Sequence, residues 1–277
     1  MAIVGVLLAI LLLLLTVPFL AAADAFCDNL KNVAATLPKK TSSSTEHFAT
    51  ATFGQANDTV YALALCRGDV LNDSTCAGCL ASSFDMLLNQ TPSPQQQCYK
   101  TAYYYSNCIL IYSGNDIVAA PPSTTDLDGD GTPAFQRWNT RNDSRLIAGA
   151  RIQELLVKTV EEAARTTPRR FATAVMDGGT NYPKVYSLAQ CTPDLSAGDC
   201  HACLSHLLGM VNFTMSLRFG GQMGAIRCYF RYEASKFYNG EPMLPLGQLS
   251  APAPVPATTK QKSESGPKLA CNFYPHA

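Results

Sequence analysis

The 277-residue chain has no excess of either charge, since 21 Lys and Arg balance 21 Asp and Glu. A nucleic-acid binder needs a basic face to displace counterions, and the balance argues against that class and against a polybasic membrane-surface protein. Catalytic signatures are missing too. There is no Gly-x-Ser-x-Gly elbow, no phosphate-binding loop and no dinucleotide fingerprint. The four histidines, His47, His201, His206 and His276, lie in no recognisable triad context. After the N-terminal leader there is no run of about 20 apolar residues. These gaps point to a protein that is not an enzyme and carries no cofactor or metal. An apolar content of 47% excludes disorder.

Cysteine is what the chain does have, eleven in all. Residues 1–23 read as a signal peptide. They hold a leucine-rich apolar run, and Ala21, Ala22, Ala23 and Ala25 offer small-residue cleavage sites before Cys27. No Lys or Arg precedes the run, which leaves an uncleaved anchor as the alternative. Either way the remaining chain enters the secretory lumen, where cysteines oxidise. Five glycosylation sequons, at Asn57, Asn72, Asn89, Asn142 and Asn212, agree with a secreted, extracellular product. Pro92 follows the Asn89 sequon and makes it the weakest of the five.

An internal repeat sets the architecture. VYALALCRGDVLNDSTCAGCL (60–80) corresponds to VYSLAQCTPDLSAGDCHACL (185–204). HFATATF from His47 corresponds to RFATAVM from Arg170, and CILIYS from Cys108 to CYFRYE from Cys228. Each copy predicts a leading helix, over Asp28–Leu37 and over Ser144–Arg165, the latter capped by Asp143 or Ser144. A second helix starts near each Cys-x-x-Cys pair and runs to about Leu88 or Leu208. Tyr103–Tyr112 and Ala225–Tyr232 read as strands. Two α+β units follow, at 24–118 and 134–240. Residues 119–133 form a Pro/Gly/Asp-rich linker, and 241–277 an extended Pro/Ser-rich tail.

Copy one holds Cys27, Cys66, Cys76, Cys79, Cys98 and Cys108, and copy two holds Cys191, Cys200, Cys203 and Cys228. The counterparts of Cys27 and Cys98 are lost together, which suggests that these two bond to each other. The remaining four allow three pairings. Cysteines two residues apart in a helical turn usually face different partners, so the favoured set is Cys66–Cys76 with Cys79–Cys108, and Cys191–Cys200 with Cys203–Cys228. Cys271 is left over, either free or available to join two chains.

The spacings Cys66-x9-Cys76-x2-Cys79 and Cys191-x8-Cys200-x2-Cys203, with their VYALALC, VYSLAQC and CYFRYE flanks, resemble the plant cysteine-rich repeat family. This is the ginkbilobin-like or stress-antifungal domain of secretory proteins and of cysteine-rich receptor-like kinase ectodomains. The resemblance covers most of residues 27–239. It implies an antiparallel sheet packed on two helices in each unit, and a disulfide pattern that agrees with the favoured pairs. The family's antifungal member binds mannose through an Asn just after the first cysteine, an Arg six residues before the last and a Glu five residues after it. Copy one has Asp28, Ala102 and Ser113 at those places; copy two has no first cysteine, then Gln222 and Glu233. Glu233 is the one possible sugar contact that remains.

Other motifs have plainer readings. Cys76-Ala-Gly-Cys79 resembles a redox pair but lacks a thioredoxin-like setting. Cys200-His201-Ala-Cys203 with His206 resembles a zinc site, yet copy one has Ala77 and Ser82 at the histidine places. Asp126–Gly131 mimics a calcium loop, but its twelfth position is Arg137, so it reads as a solvated acidic turn. Tyr103, Tyr104 and Tyr105 offer an aromatic binding surface, or a strand that buries one ring and exposes its neighbours. The expected function is recognition of an unidentified protein or cell-wall glycan in the plant apoplast, in defence or stress signalling. The alternatives are a directly antifungal mannose-binding protein and a truncated receptor-kinase ectodomain.

Overall fold

The computed structural model describes residues 25–89, 98–119, 134–140, 149–177, 184–211 and 218–246. The first unit runs α1 (25–42), β1 (Phe48–Phe53), a 3-10 turn (Ala56–Asp58), β2 (Val60–Cys66), α2 (Asp73–Asn89), β3 (Thr101–Tyr105) and β4 (Cys108–Ser113). The second runs β5 (Phe135–Trp138), α3 (Gly149–Arg165), β6 (Phe171–Met176), β7 (Val185–Cys191), α4 (Ala197–Gly209), β8 (Gly220–Gly224), β9 (Cys228–Glu233) and β10 (Leu244–Leu246). The sheets have the orders β1-β2-β4-β3 and β10-β6-β7-β9-β8-β5. This is the expected α+β class, two tandem units each built on an antiparallel sheet.

The local differences have physical causes. Tyr103–Tyr112 is a hairpin rather than one strand, closed by the Ser106 N–H donating to the Cys108 carbonyl at 3.0 Å. In the second unit the hairpin turn is one residue longer, and the Ala225 N–H donates to the Cys228 carbonyl at 2.8 Å. Neither turn contains glycine, the usual marker. Helix α1 is longer than the expected Asp28–Leu37, and the cap candidates Asp143 and Ser144 lie outside the described residues.

The tail expectation needs a correction. Residues 241–246 belong to the second unit: Leu244–Leu246 pair in parallel with Ala174–Met176. Leu244 and Leu246 pack on the second core, and the Pro245 between them suits an edge strand, where a missing N–H costs nothing on the solvent side. Cys271, the rest of the tail, residues 120–133 of the linker, the signal peptide and the Asp126–Gly131 turn lie outside the described residues.

Strand β2, VYALALC, shows how the layers form. Ala62 and Ala64 face α1 and α2, where Phe26, Leu30, Leu37, Leu80 and Phe84 fill the first core. Leu63 and Leu65 point the opposite way and are also fully buried. They meet Ile109, Ile111 and Ile117 of their own unit, and Phe171, Leu188, Ile226, Tyr229 and Tyr238 of the other. In the second unit Ala172, Ala174 and Ala189 lie against α3 and α4. The molecule is therefore four layers, helices–sheet–sheet–helices, and small residues let the helices approach while large ones fill the seam. Sheets buried on both faces read as near-continuous apolar runs, as β2 does.

Polar groups lock the seam. Buried Gln190 accepts from the Gly68 N–H at 3.1 Å and donates to the Cys66 carbonyl at 3.4 Å. Two arginine–aspartate pairs, one from each unit, reach across it. Arg67 chelates Asp69 at 2.5 and 2.8 Å and donates to the Phe237 carbonyl at 3.2 Å. Arg227 pairs with Asp194 and donates to the Val118 carbonyl at 2.7 Å. Asp69 and Asp194 stand at equivalent repeat positions, each three residues after a cysteine, whereas the arginines come from different positions. Gly68 lies flat on Phe171: a Cβ there would stand 2.2 Å from the ring. Gly68→Ala is expected to cost about 1–3 kcal/mol by overpacking, read as a shift in the denaturant midpoint.

Burial also perturbs the tyrosines. It pushes the Tyr112 phenol up to about 12, and Tyr105, Tyr229, Tyr232 and Tyr238 higher still. The unfolded phenol titrates near ~10, so above that pH the unfolded state binds fewer protons than the native one. The stability these groups contribute is complete below pH ~10 and falls as pH rises toward the folded values. The expected result is that these five rings ionise together with alkaline unfolding. Phenolate absorbance followed alongside circular dichroism checks this; ionisation of Tyr112 well before loss of structure would refute it.

Candidate binding surface

The structure pairs Cys27–Cys98, Cys66–Cys76, Cys79–Cys108, Cys191–Cys200 and Cys203–Cys228, with Cα separations of 5.5–6.2 Å. Each Cys-x-x-Cys pair sits at the start of α2 or α4 and sends one bridge to β2 or β7 and the other to β4 or β9. The bridges thus tie a helix to two central strands. Cys200 and Cys203 are committed to disulfides, and His201 and His206 are exposed on α4. Among the described residues no cluster of three or more His, Cys, Asp or Glu is poised to hold a metal.

Asn57, Asn72 and Asn89 are exposed; Asn142 and Asn212 lie outside the described residues. Asn72 caps α2, its side-chain oxygen accepting from the Thr75 N–H at 3.1 Å, which leaves the amide nitrogen for a glycan.

Glu233 is half-buried at the end of β9. Its carboxylate accepts from Arg231 at 2.9 and 3.0 Å and lies over Gly220, where a Cβ would stand 1.9 Å from it. The Arg231 guanidinium in turn covers the Phe237 ring at 4.5 Å. Of the corresponding places in the first unit, Asp28 pairs with Lys31 at 2.9 Å, and buried Ser113 meets the Thr101 hydroxyl at 3.1 Å.

The tyrosine run does more. It occupies β3, the edge strand of the first sheet, and alternation sends its rings to two sides. Tyr104 packs on the first core. Tyr105 turns to the seam, stacks on Phe135 of β5 at 5.1 Å and 11°, and donates its hydroxyl to the Ala225 carbonyl at 2.5 Å. Tyr103 stays exposed and meets Phe135 edge-on at 5.6 Å. Strand β5 is the edge of the second sheet, so the aromatic cluster joins two sheet edges from different units. Gly224 makes room for it: a Cβ there would be 2.7 Å from the Tyr105 ring. Along this edge runs a groove of about 260 Å³, lined by Met86, Leu87, Tyr103, Tyr104, Tyr105, Phe135 and Arg137. The Arg137 guanidinium stands 5.6 Å from the Phe135 centroid. A second cleft of similar volume is lined by Asn57, Lys100, Thr101 and Asn115 without an aromatic ring, and Lys100 donates to the Asn57 carbonyl there at 2.9 Å.

Sequence reasoning singled out the tyrosines but missed Phe135 and took Arg137 only for a failed calcium position. The available signal was the pair of aromatics Phe135 and Trp138 closely following the linker, in FQRW.

Two disulfide-braced α+β units fused through their sheets define a tandem ectodomain fold. The chain belongs to the salt stress response/antifungal family, whose model matches residues 18–115 and 143–235. It is 37% identical over 228 residues to cysteine-rich receptor-like protein kinase 6 of Oryza sativa subsp. japonica, covering 79% of this chain and 30% of that protein. It is 31% identical to the putative cysteine-rich receptor-like protein kinase 9 of Arabidopsis thaliana, covering 78% of this chain and 77% of that one. The chain thus spans about a third of the length of most of these relatives and corresponds to their ectodomain part. In fold it is similar to the tandem DUF26 ectodomains of the Arabidopsis thaliana cysteine-rich receptor-like proteins PDLP8 and PDLP5. The TM-scores are 0.57 and 0.53, at 21% and 18% identity, over 76% of this chain and 91% and 92% of those. This relatedness makes the chain a plant cell-surface or defence-type domain.

Proposed function

We propose that the chain is a secreted, non-enzymatic recognition protein of the plant apoplast, acting in defence or stress signalling by binding a protein or cell-wall glycan through the groove between its two sheet edges. The observation that carries this reading is the aromatic–arginine surface of exposed Tyr103 and Arg137 with half-buried Phe135 between them, mounted on a disulfide-braced body. Tyrosine supplies rigid amphipathic contact area, and a scaffold fixed before binding loses little entropy on engagement. Extracellular residence is supported by the five disulfides, the apolar leader and the exposed asparagines of the sequons. Among the described residues no helix is long and apolar enough to cross a membrane.

The mannose-binding antifungal alternative depends on Glu233, and the Arg231 ion pair competes for that carboxylate. The two readings separate in one experiment. Labelled chain is applied to isolated plant cell walls and to protoplasts, and retention is measured for the unmodified protein, for Tyr103→Ala with Arg137→Gln, and for Glu233→Ala. The groove variant is expected to lose retention by about tenfold, the equivalent of one charge-assisted hydrogen bond, while Glu233→Ala keeps it. The reverse pattern would replace the groove reading with the lectin one.

A further inference from the structure

We propose that the groove is a composite site for an acidic glycan, a uronic-acid oligosaccharide whose ring stacks on Tyr103 and whose carboxylate pairs with Arg137. The inference deepens the functional reading above and rests on it.

Three observations select this chemistry. The first is the lining. Tyr103 is 41% exposed, and its hydroxyl has no protein partner among the described residues, so the ring offers a free apolar face beside a free polar tip. A pyranose has the complementary surface, an apolar face of C–H groups rimmed by hydroxyls. The second is charge. Arg137 is exposed and makes no ion pair with a described residue, and among the described residues no carboxylate lines the groove. The Arg137 guanidinium presents paired donors in a planar fork matched to a carboxylate. The third is size. A volume of about 260 Å³ falls below the ~300–1,000 Å³ of sites that swallow a drug-sized ligand. It suits one or two rings of a longer chain lying along an open edge.

The site is composite. Tyr103 and Met86 come from the first unit, Phe135 and Arg137 from the second, and the Tyr105–Phe135 stack with the Tyr105 bond to Ala225 fixes their spacing. Neither unit carries the site alone.

The test titrates the full-length secreted chain by calorimetry with a galacturonic-acid hexamer and with the same hexamer methyl-esterified, which keeps the rings and removes the charge. The free acid is expected to bind at least about tenfold more tightly than the ester. Arg137→Gln should abolish that preference, and Tyr103→Ala should weaken both forms. Both residues are exposed, and unchanged melting temperatures establish that the variants fold. No saturable binding of the free acid, equal binding of acid and ester, or binding indifferent to both substitutions would each overturn the proposal. If the hexamer fails to bind while the groove variant still loses retention on walls or protoplasts, only the glycan assignment falls. If the groove variant keeps full retention, the functional reading falls with it.

Discussion

Asp69→Asn is expected to destabilise the protein by about 3–5 kcal/mol, because it strands a buried charge. Arg67 and Asp69 side chains are each only 4% exposed. Burial by itself drives the Arg67 guanidinium toward losing its proton; the hydrogen bonds to Asp69, with the electrostatics of Tyr229 and of Asp69, outweigh it and raise its pKa. Asparagine has the size of aspartate but neither its charge nor a second acceptor oxygen. Asp69 also accepts from the Asn239 N–H at 2.7 Å across the seam, so the loss falls on the contact between units as well. The equivalent Asp194→Asn should cost less, about 1–3 kcal/mol, because Asp194 is 41% exposed and water can replace part of what it supplies to Arg227. Replacing Arg67 and Asp69 together by Met and Leu should cost less than Asp69→Asn alone, since no uncompensated charge remains. Denaturant midpoints at unchanged slope measure all three. Equal losses for Asp69→Asn and Asp194→Asn would show that burial is not what sets the effect.

The element order of both units is legible in the sequence because three aligned blocks repeat in the same order and each carries a clear period. Helix α3 follows Leu155, Leu156, Val160 and Ala163 on one face. What the sequence hides is how the units meet. The clue lies in VYALALC, where both alternating sets are apolar, one small and one large, so that neither face is left for solvent. Gln190 obscures the same pattern in VYSLAQC, since a glutamine at a strand end looks solvated until the backbone groups of Cys66 and Gly68 are placed beside it. The groove is hidden for a related reason. Tyr103 and Tyr105 are conspicuous, but Phe135 and Arg137 belong to a four-residue strand of the other unit, and only the packing of two sheet edges brings them together. Strand β10 reads as tail because the stretch after Pro242 is Pro/Ser/Lys-rich with little to bury, yet parallel pairing at an edge tolerates Pro245.

Intact protein is expected to melt in a single calorimetric transition, although tandem domains with polar contacts usually move and unfold separately. The seam is the reason. Leu63, Leu65, Ile111 and Leu188 are each no more than 1% exposed, and their burial requires both units to be folded. Leu63→Asp tests this directly. Leu63 is fully buried, faces the other unit, stands opposite Thr50 and Ile111 in its own sheet and packs among apolar side chains of the seam, so the new carboxylate is carried into an apolar cluster. An unpaired charge at such a site costs upwards of about 4 kcal/mol, which for a protein of this size lowers the melting temperature by about 10 °C. The substitution should also split the transition in two. The first to melt should be the second unit, which loses its cover over Phe171, Ile226 and Tyr229 and is held by two disulfides against three. Two transitions in the unmodified chain, or a single one in Leu63→Asp shifted by only a degree or two, would mean that the sheets touch without sharing a core. The composite groove would then lose the fixed spacing between Tyr103 and Arg137 on which its chemistry depends.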